Sequence, residues 1–284
     1  MLLYNIMEKV GISIHSGLGN QIFMIFCMLS YYIDNCNDYI IYYNDDSTKK
    51  YYWDTFFKNI NKKISSGNIN IEKTYKEQFF NYNNIPKYDF DIVLNGYFQS
   101  DRYFKHNIDK IKNIIGLESQ IINVKKEYPE YFKKKTIVVH FRIGDYYNLQ
   151  NLHPIKHINY YIKSFNALIE KNINIQEYDI LYFCQDIDNN IVEEYIKRIN
   201  IYFKYLNFVK VSDNIPDWKQ LLLMNSADHF IIGNSTFSWM GAYLSHSYEK
   251  NKAIVICPDV WFGPYYSHHN LEDLRPIDWI KICD

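Results

Sequence analysis

Between residues 136 and 257 the chain repeats one pattern: a short apolar run, a polar turn, then a longer amphipathic run. The short runs, 136–141, 179–184, 205–211, 229–232 and 253–257, are rich in Val, Ile, Phe and Tyr and have strand length. The runs between them, 157–171, 189–199, 217–226 and 238–247, carry a helical period. Five strands alternating with four helices leave few topologies open, because parallel neighbours need long right-handed crossovers. The expected fold is α/β with a doubly wound parallel sheet.

The first half is less regular. Residues 9–15 read as a strand, Ser16-Gly17-Leu18-Gly19-Asn20 as a turn, and a helix starts at Gln21. Residues 39–43 and 92–97 read as further strands. Residues 107–115 and 118–128 read as helices broken at Gly116. Over 45–88 the pattern weakens, with short helical runs such as 51–60. The basic stretch 126–135, with Pro129, is the candidate boundary. Two lobes follow, 1–130 and 131–284, and 284 residues suffice for two modest cores.

Composition excludes some classes. A formal charge of −1 gives no field to draw nucleic acid or an anionic membrane. The five cysteines are widely spaced with no CxxC pair, which speaks against a disulfide framework or zinc knuckle and favours a reducing compartment. The N-terminus lacks the pattern of a secretion signal, and the apolar stretch 22–33 falls short of the roughly 20 residues needed to cross a bilayer. It reads as a buried helix, and the expected location is the cytoplasm. The aromatic content of 18% is mostly core and surface filler.

In an open parallel sheet, ligands sit beyond the carboxyl ends of the strands. Two polar clusters fall there in the second half. One is His140-Phe141-Arg142-Ile143-Gly144-Asp145-Tyr146; the other is Gly233-Asn234-Ser235-Thr236-Phe237-Ser238, at the start of a helix. Helix-terminal amides favour a phosphate. Arg142, one of only four arginines, can grip the same phosphates through two donors. Such a pair suits a departing nucleoside diphosphate, although Asn-Ser-Thr also fits plain N-capping. A third cluster, Gly17-Leu18-Gly19-Asn20-Gln21, suggests close backbone approach to a phosphate, but Ile22 stands where the dinucleotide fingerprint wants a third glycine.

Together and in this order the segments resemble the α-1,2-fucosyltransferases, glycosyltransferase family 11. The carrying motifs are Ser16-Gly17-Leu18-Gly19-Asn20-Gln21-Ile22-Phe23, Gly96-Tyr97-Phe98-Gln99-Ser100, the His140 to Tyr146 cluster, and the Gly233 cluster continued through Trp239-Met240-Gly241-Ala242-Tyr243-Leu244. Weaker echoes are Asn159-Tyr160-Tyr161, Pro258-Asp259-Val260-Trp261-Phe262 and Trp279-Ile280-Lys281-Ile282. The match runs nearly end to end.

The resemblance implies a GT-B arrangement: two Rossmann-like lobes with parallel sheets and a cleft between them. The N-terminal lobe would be the acceptor side. The C-terminal lobe would bind the donor, with a tail able to return to the first. It implies inverting transfer of L-fucose from GDP-β-L-fucose to a sugar hydroxyl, such as O-2 of a galactoside, with no metal and no cofactor beyond the donor substrate. The partners implied are a nucleotide sugar and a glycan acceptor. Arg142 would hold the diphosphate. His140, Asn234, Ser235, Thr236, Phe237 and Ser238 would line the donor side with Gly17 and Gly19. Asn20 would stand near the bond being made, since its turn also resembles that of the protein O-fucosyltransferases. Asp145 and His153 are the candidates for a base, with a shaping role for Asp145 and His140 in the Arg142 loop as the alternative.

Three departures stand out. Ile143 replaces the second arginine of the family pair, Met240 replaces a usual Trp, and Ser16 replaces the first Gly of the opening turn. Asp89-Phe90-Asp91 and Asp186-Ile187-Asp188 have the form of a metal triplet, but read as a turn and as an acidic helix start. Rival readings are a transferase for another nucleotide-deoxyhexose, an inactive nucleotide- or glycan-binding relative, and an NAD-type oxidoreductase using the Gly17 turn and Asp45.

Overall fold

The computed structural model describes residues 9–36, 38–43, 50–66, 73–250 and 252–284. Asp45 lies outside them. The chain divides into two units, Met1–Glu118 with His269–Ile277, and Ser119–His268 with Asp278–Asp284. Each is built on a wholly parallel sheet, the Rossmann-like construction of the GT-B class.

In the first unit β1 (Lys9–Ile14) leads through the Ser16–Gly17 turn into α1 (Leu18–Asn35). The strands β2 (Asp38–Tyr43), β3 (Ile64–Ser66), β4 (Thr74–Lys76) and β5 (Ile92–Asn95) complete a sheet of order β3-β2-β1-β5-β4. Nearly every residue of α1 from Leu18 to Tyr31 is buried, so the long apolar run is an interior helix. No helix among the described residues is long and apolar enough to cross a membrane. Then come α2 (Ile108–Ile115) and α3 (Leu117–Glu127), which passes into the second unit after Glu118; they are separated at Gly116, whose φ of +67° is the left-handed geometry that stops a helix.

One expectation for this unit is corrected. Residues 51–60 do not form a regular helix: turns lead into a 3₁₀ segment, Lys58–Lys63. Phe56 and Phe57 are adjacent and both fully buried, which requires protein on two sides of the chain and outweighs helical periodicity. The short strands β3 and β4 were hidden in the Asn- and Lys-rich stretch.

In the second unit the strands are β6 (Lys135–His140), β7 (Tyr178–Phe183), β8 (Asn207–Lys210), β9 (His229–Ile231), β10 (Val255–Pro258) and β11 (Ile280–Ile282). The helices α4 (Ile158–Glu170), α5 (Asn189–Tyr202), α6 (Asp217–Met224) and α7 (Thr236–Tyr243) alternate with them. The sheet order is β11-β10-β9-β6-β7-β8, one strand more than the sequence pattern indicated. Its apolar cluster joins Ile137, Val139, Phe141 and Ile180 to Tyr160, Tyr161, Phe165 and Leu168 of α4.

Strand order decides where ligands can enter. In the second unit the chain runs outward from β6 through β7 to β8, then returns to the other side of β6 with β9. In the first it runs from β1 through β2 to β3, while β5 lies on the far side of β1. Adjacent strands whose connections leave in opposite directions open a crevice beyond their carboxyl ends. The polar clusters follow β6 and β9 in one unit, and β1 and β5 in the other.

Candidate active site

Because β6 and β9 are neighbours, the turns that follow them meet at the top of the second sheet. Gly233 is the point of closest approach. A Cβ there would lie 3.2 Å from the His140 carbonyl oxygen and 3.3 Å from Arg142 Cβ, so a larger residue would push the two turns apart. Arg142 and the start of α7 therefore share one small region.

The Arg142 side chain is largely enclosed, with 19% exposed. One guanidinium nitrogen donates to Asp145 Oδ1 at 2.5 Å. Its carbon lies 4.4 Å from the centre of the Tyr146 ring, a cation–π contact. The other members of the stack follow: Tyr146 packs on His153 at 4.6 Å with planes 16° apart, and His153 packs on Phe262 at 5.5 Å. The Tyr146 hydroxyl donates to the carbonyl of Asn234 at 3.2 Å, tying this loop to the turn before α7.

The loop is also held from below. Gly144 has φ +36°, and its N–H donates to Asp188 Oδ2 at 2.9 Å. Asp188 is 3% exposed. The Asp186-Ile187-Asp188 triplet opens α5, as its acidic character suggested, but Asp188 is spent on the Arg142 loop and Asp186 accepts from Asn189. Asp91, of the other triplet, accepts from the Lys9 amide. Among the described residues no group of three His, Cys, Asp or Glu side chains is arranged to hold a metal.

His140 closes β6, 7% exposed, with its ring 6.0 Å from that of Phe237. Burial, aided by the nearby Arg142 charge, pushes its pKa down to about 3, so it is neutral, and its Nδ1 has no partner. His153 is also held below its ordinary value by burial, and its Nδ1 is likewise buried and unpartnered.

The turn before α7 is built from inside. The Asn234 amide donates to the carbonyls of Pro154 and Trp261, both at 3.0 Å, clamping two neighbouring loops. Ser238 is wholly buried and its hydroxyl donates to the Ser235 carbonyl at 3.3 Å. Ser235 occupies the N-cap position but makes no capping bond through its side chain, so the plain capping expected of this triplet is absent. Half-exposed Thr236 and Phe237 begin the helix, two residues earlier than the periodicity indicated. First-turn amides have no acceptor within their own helix, so those of Thr236, Phe237 and Ser238 are suited to an anion.

Ile143 is 3% exposed and belongs to the apolar cluster. The position where the family pattern carries a second arginine points into the core. Met240 is also fully buried, and its carbonyl accepts from Asn225.

Gly17, Gly19 and Asn20 stand in the first unit. Gly17 is the N-cap of α1, and a Cβ there would meet nothing within 4 Å. Gly19 is buried. Asn20 Oδ1 accepts from Gln99 Nε2 at 2.8 Å, and Gln21 donates to the carbonyls of Ser16 and Lys50. Sequence reasoning missed Glu77, whose carboxylate accepts from the amides of Tyr97 (2.7 Å) and Phe98 (3.0 Å). It lies in the weakly patterned stretch and its partners are distant in sequence, so no local signal marked it.

Residues 46–283 match the family described as Glycosyl transferase family 11. An alpha-1,2-colitosyltransferase of Escherichia coli is 28% identical over 190 residues, 66% of this chain and 61% of that protein. The O-antigen biosynthesis glycosyltransferase WbnK of Escherichia coli is 24% identical over 199 residues, 66% of this chain and 60% of that protein. The matches thus span about three fifths of either relative. A glycosyl transferase family 9 structure from Veillonella parvula aligns over 98% of this chain and 86% of its own, with a TM-score of 0.51 at 9% identity, a likeness of fold.

Proposed function

The chain belongs to glycosyl transferase family 11, and on that premise we propose that it is an inverting transferase moving L-fucose from GDP-β-L-fucose to a sugar hydroxyl, O-2 of a galactoside. The observation that carries the proposal is the close approach of Arg142 to Gly233, which brings the Arg142 loop against the turn that opens α7. In this reading Arg142 and the α7 amides bind the donor diphosphate. As the bond between the anomeric carbon and phosphate oxygen breaks, the electron pair leaves with GDP, and these donors stabilise the growing charge. Asp145 and the Tyr146 ring fix the guanidinium. The acceptor hydroxyl oxygen enters on the opposite face, inverting the configuration, and its proton passes to a base, for which Asp145 and His153 are the candidates.

Two features support this reading without a metal. Asp91 and Asp188 accept from backbone amides and Asp186 from Asn189, rather than facing an open cation position. The donor grip also already supplies positive charge. The colitosyl group in the name of one relative favours a second reading, a different sugar on the same nucleotide.

The test is incubation with GDP- and dTDP-sugars plus lactose, in EDTA, with products read by mass and linkage. Fucose on O-2 of galactose is the expected product. Another transferred sugar selects the second reading. Binding of NAD but not GDP, or dependence on added manganese, overturns the mechanism.

A further inference from the structure

The crevice of the first unit holds a cluster that the donor reading leaves unused. At the carboxyl end of β1, His15 Nδ1 lies 3.1 Å from Ser16 Oγ, and Ser16 Oγ lies 3.3 Å from the Tyr97 hydroxyl. The His15 and Tyr97 rings meet edge to face, with centres 4.7 Å apart and planes at 87°. Tyr97 follows β5, which pairs with β1, so the trio lies beyond the carboxyl ends of two neighbouring strands of the first sheet.

Ser16 is in the left-handed region, φ +66°, which favours glycine and is strained for any other residue. Glycine is the residue of the family pattern here. The hydroxyl that replaces it is exposed and faces His15 and Tyr97. Across the crevice Phe98 is also left-handed, φ +51°, and that turn is fastened by Glu77. Glu77 fits tightly: a Cβ on Gly96 would fall 2.3 Å from Glu77 Cβ. Two strained turns are thus held on either side of one small polar surface, beside the open space at Gly17.

The chemistry indicates the ligand class. The trio offers a hydroxyl, a phenol, an imidazole and an aromatic face, while the neighbouring carboxylate of Glu77 is occupied by backbone amides. Such a set suits a neutral polyhydroxylated ring, whose C–H face packs on tyrosine and whose hydroxyls exchange hydrogen bonds. We propose that His15, Ser16 and Tyr97 form a sugar-binding subsite for the glycan acceptor. The assignment to an acceptor rests on the transferase reading above; sugar binding by the trio does not.

Ser16→Gly separates function from structure. It relieves the strain, so it is expected to raise the melting temperature by about 2 °C. It also removes the hydroxyl, so lactose or N-acetyllactosamine, titrated in saturation-transfer NMR, is expected to bind about fivefold more weakly. Tyr97→Leu should abolish the sugar signal. GDP affinity, measured in parallel, should be unchanged in both variants. Loss of GDP binding in the unsubstituted protein counts against the transferase reading alone. Failure of both sugars to bind the unsubstituted protein, or equal sugar affinity in a stabilised Ser16→Gly, overturns the subsite.

Discussion

The Tyr146 hydroxyl donates to the Asn234 carbonyl at 3.2 Å while its ring lies under the Arg142 guanidinium. One side chain therefore registers the cation against the turn that opens α7. Its two contacts can be removed separately. Tyr146→Phe keeps the ring and is expected to cost about fivefold in turnover. Tyr146→Ala loses both contacts and is expected to lower kcat about 100-fold with a smaller change in donor KM, since the guanidinium loses its orientation. Steady-state kinetics on the two variants check this split.

Removal of the cation is a harsher test. Arg142→Ala should lower transfer by about 10³-fold, and Arg142→Lys should restore only part of it, because lysine cannot present two parallel donors. Both should unfold near the unsubstituted protein. Near-normal turnover in Arg142→Ala would remove the guanidinium from the mechanism.

Asp188 acts from beneath. Asp188→Ala leaves the Gly144 N–H without its acceptor, and the expected loss is about 2 kcal/mol of stability. Because that amide anchors the Arg142 loop, kcat should fall too, whereas loss of stability with full activity at low temperature would uncouple the two. Urea titration and kinetics on the same preparation decide it.

The Asn234 clamp makes a prediction of sign. Asn234→Ala removes two hydrogen bonds, but Asn234→Asp places a carboxylate against two carbonyl oxygens. The aspartate should be the worse variant, by about 2 kcal/mol, in chemical denaturation at neutral pH.

His140 links stability to pH. Its folded pKa of about 3 lies below the ordinary 6.5, so the unfolded chain takes up the proton first as pH falls. The stability this neutral ring contributes is complete above pH 6.5 and is lost as pH falls towards 3. Between pH 6.5 and 5 that loss is about 2 kcal/mol, with His153 and His229 acting in the same direction. His140→Asn should flatten the slope of unfolding free energy against pH over that window; an unchanged slope would show that His140 is not its source.

The second sheet was readable from sequence because its strands are apolar runs flanked by turn residues. The edge strand Ile280–Ile282 was not, since three residues carry too little pattern. Arg142 stood out because arginine is scarce in this chain, and the Gly233 turn because it follows a strand of a parallel sheet, where ligands sit. What joins them was hidden: Tyr146 meets Asn234 across 88 residues and Asp188 meets Gly144 across 44, and no local periodicity encodes such pairs. Ser16 was legible as a departure from glycine, but its strain becomes evident only from the backbone.

Ile143 leaves no room for a second cation at its own position. Its side chain belongs to the apolar cluster with Phe141 and Ile158, so an arginine there would strand a charge in oil or lever the backbone outward against the Asp188 tether. If the donor grip proposed above is to be strengthened by engineering, added positive charge belongs at the rim of the α7 turn rather than at position 143.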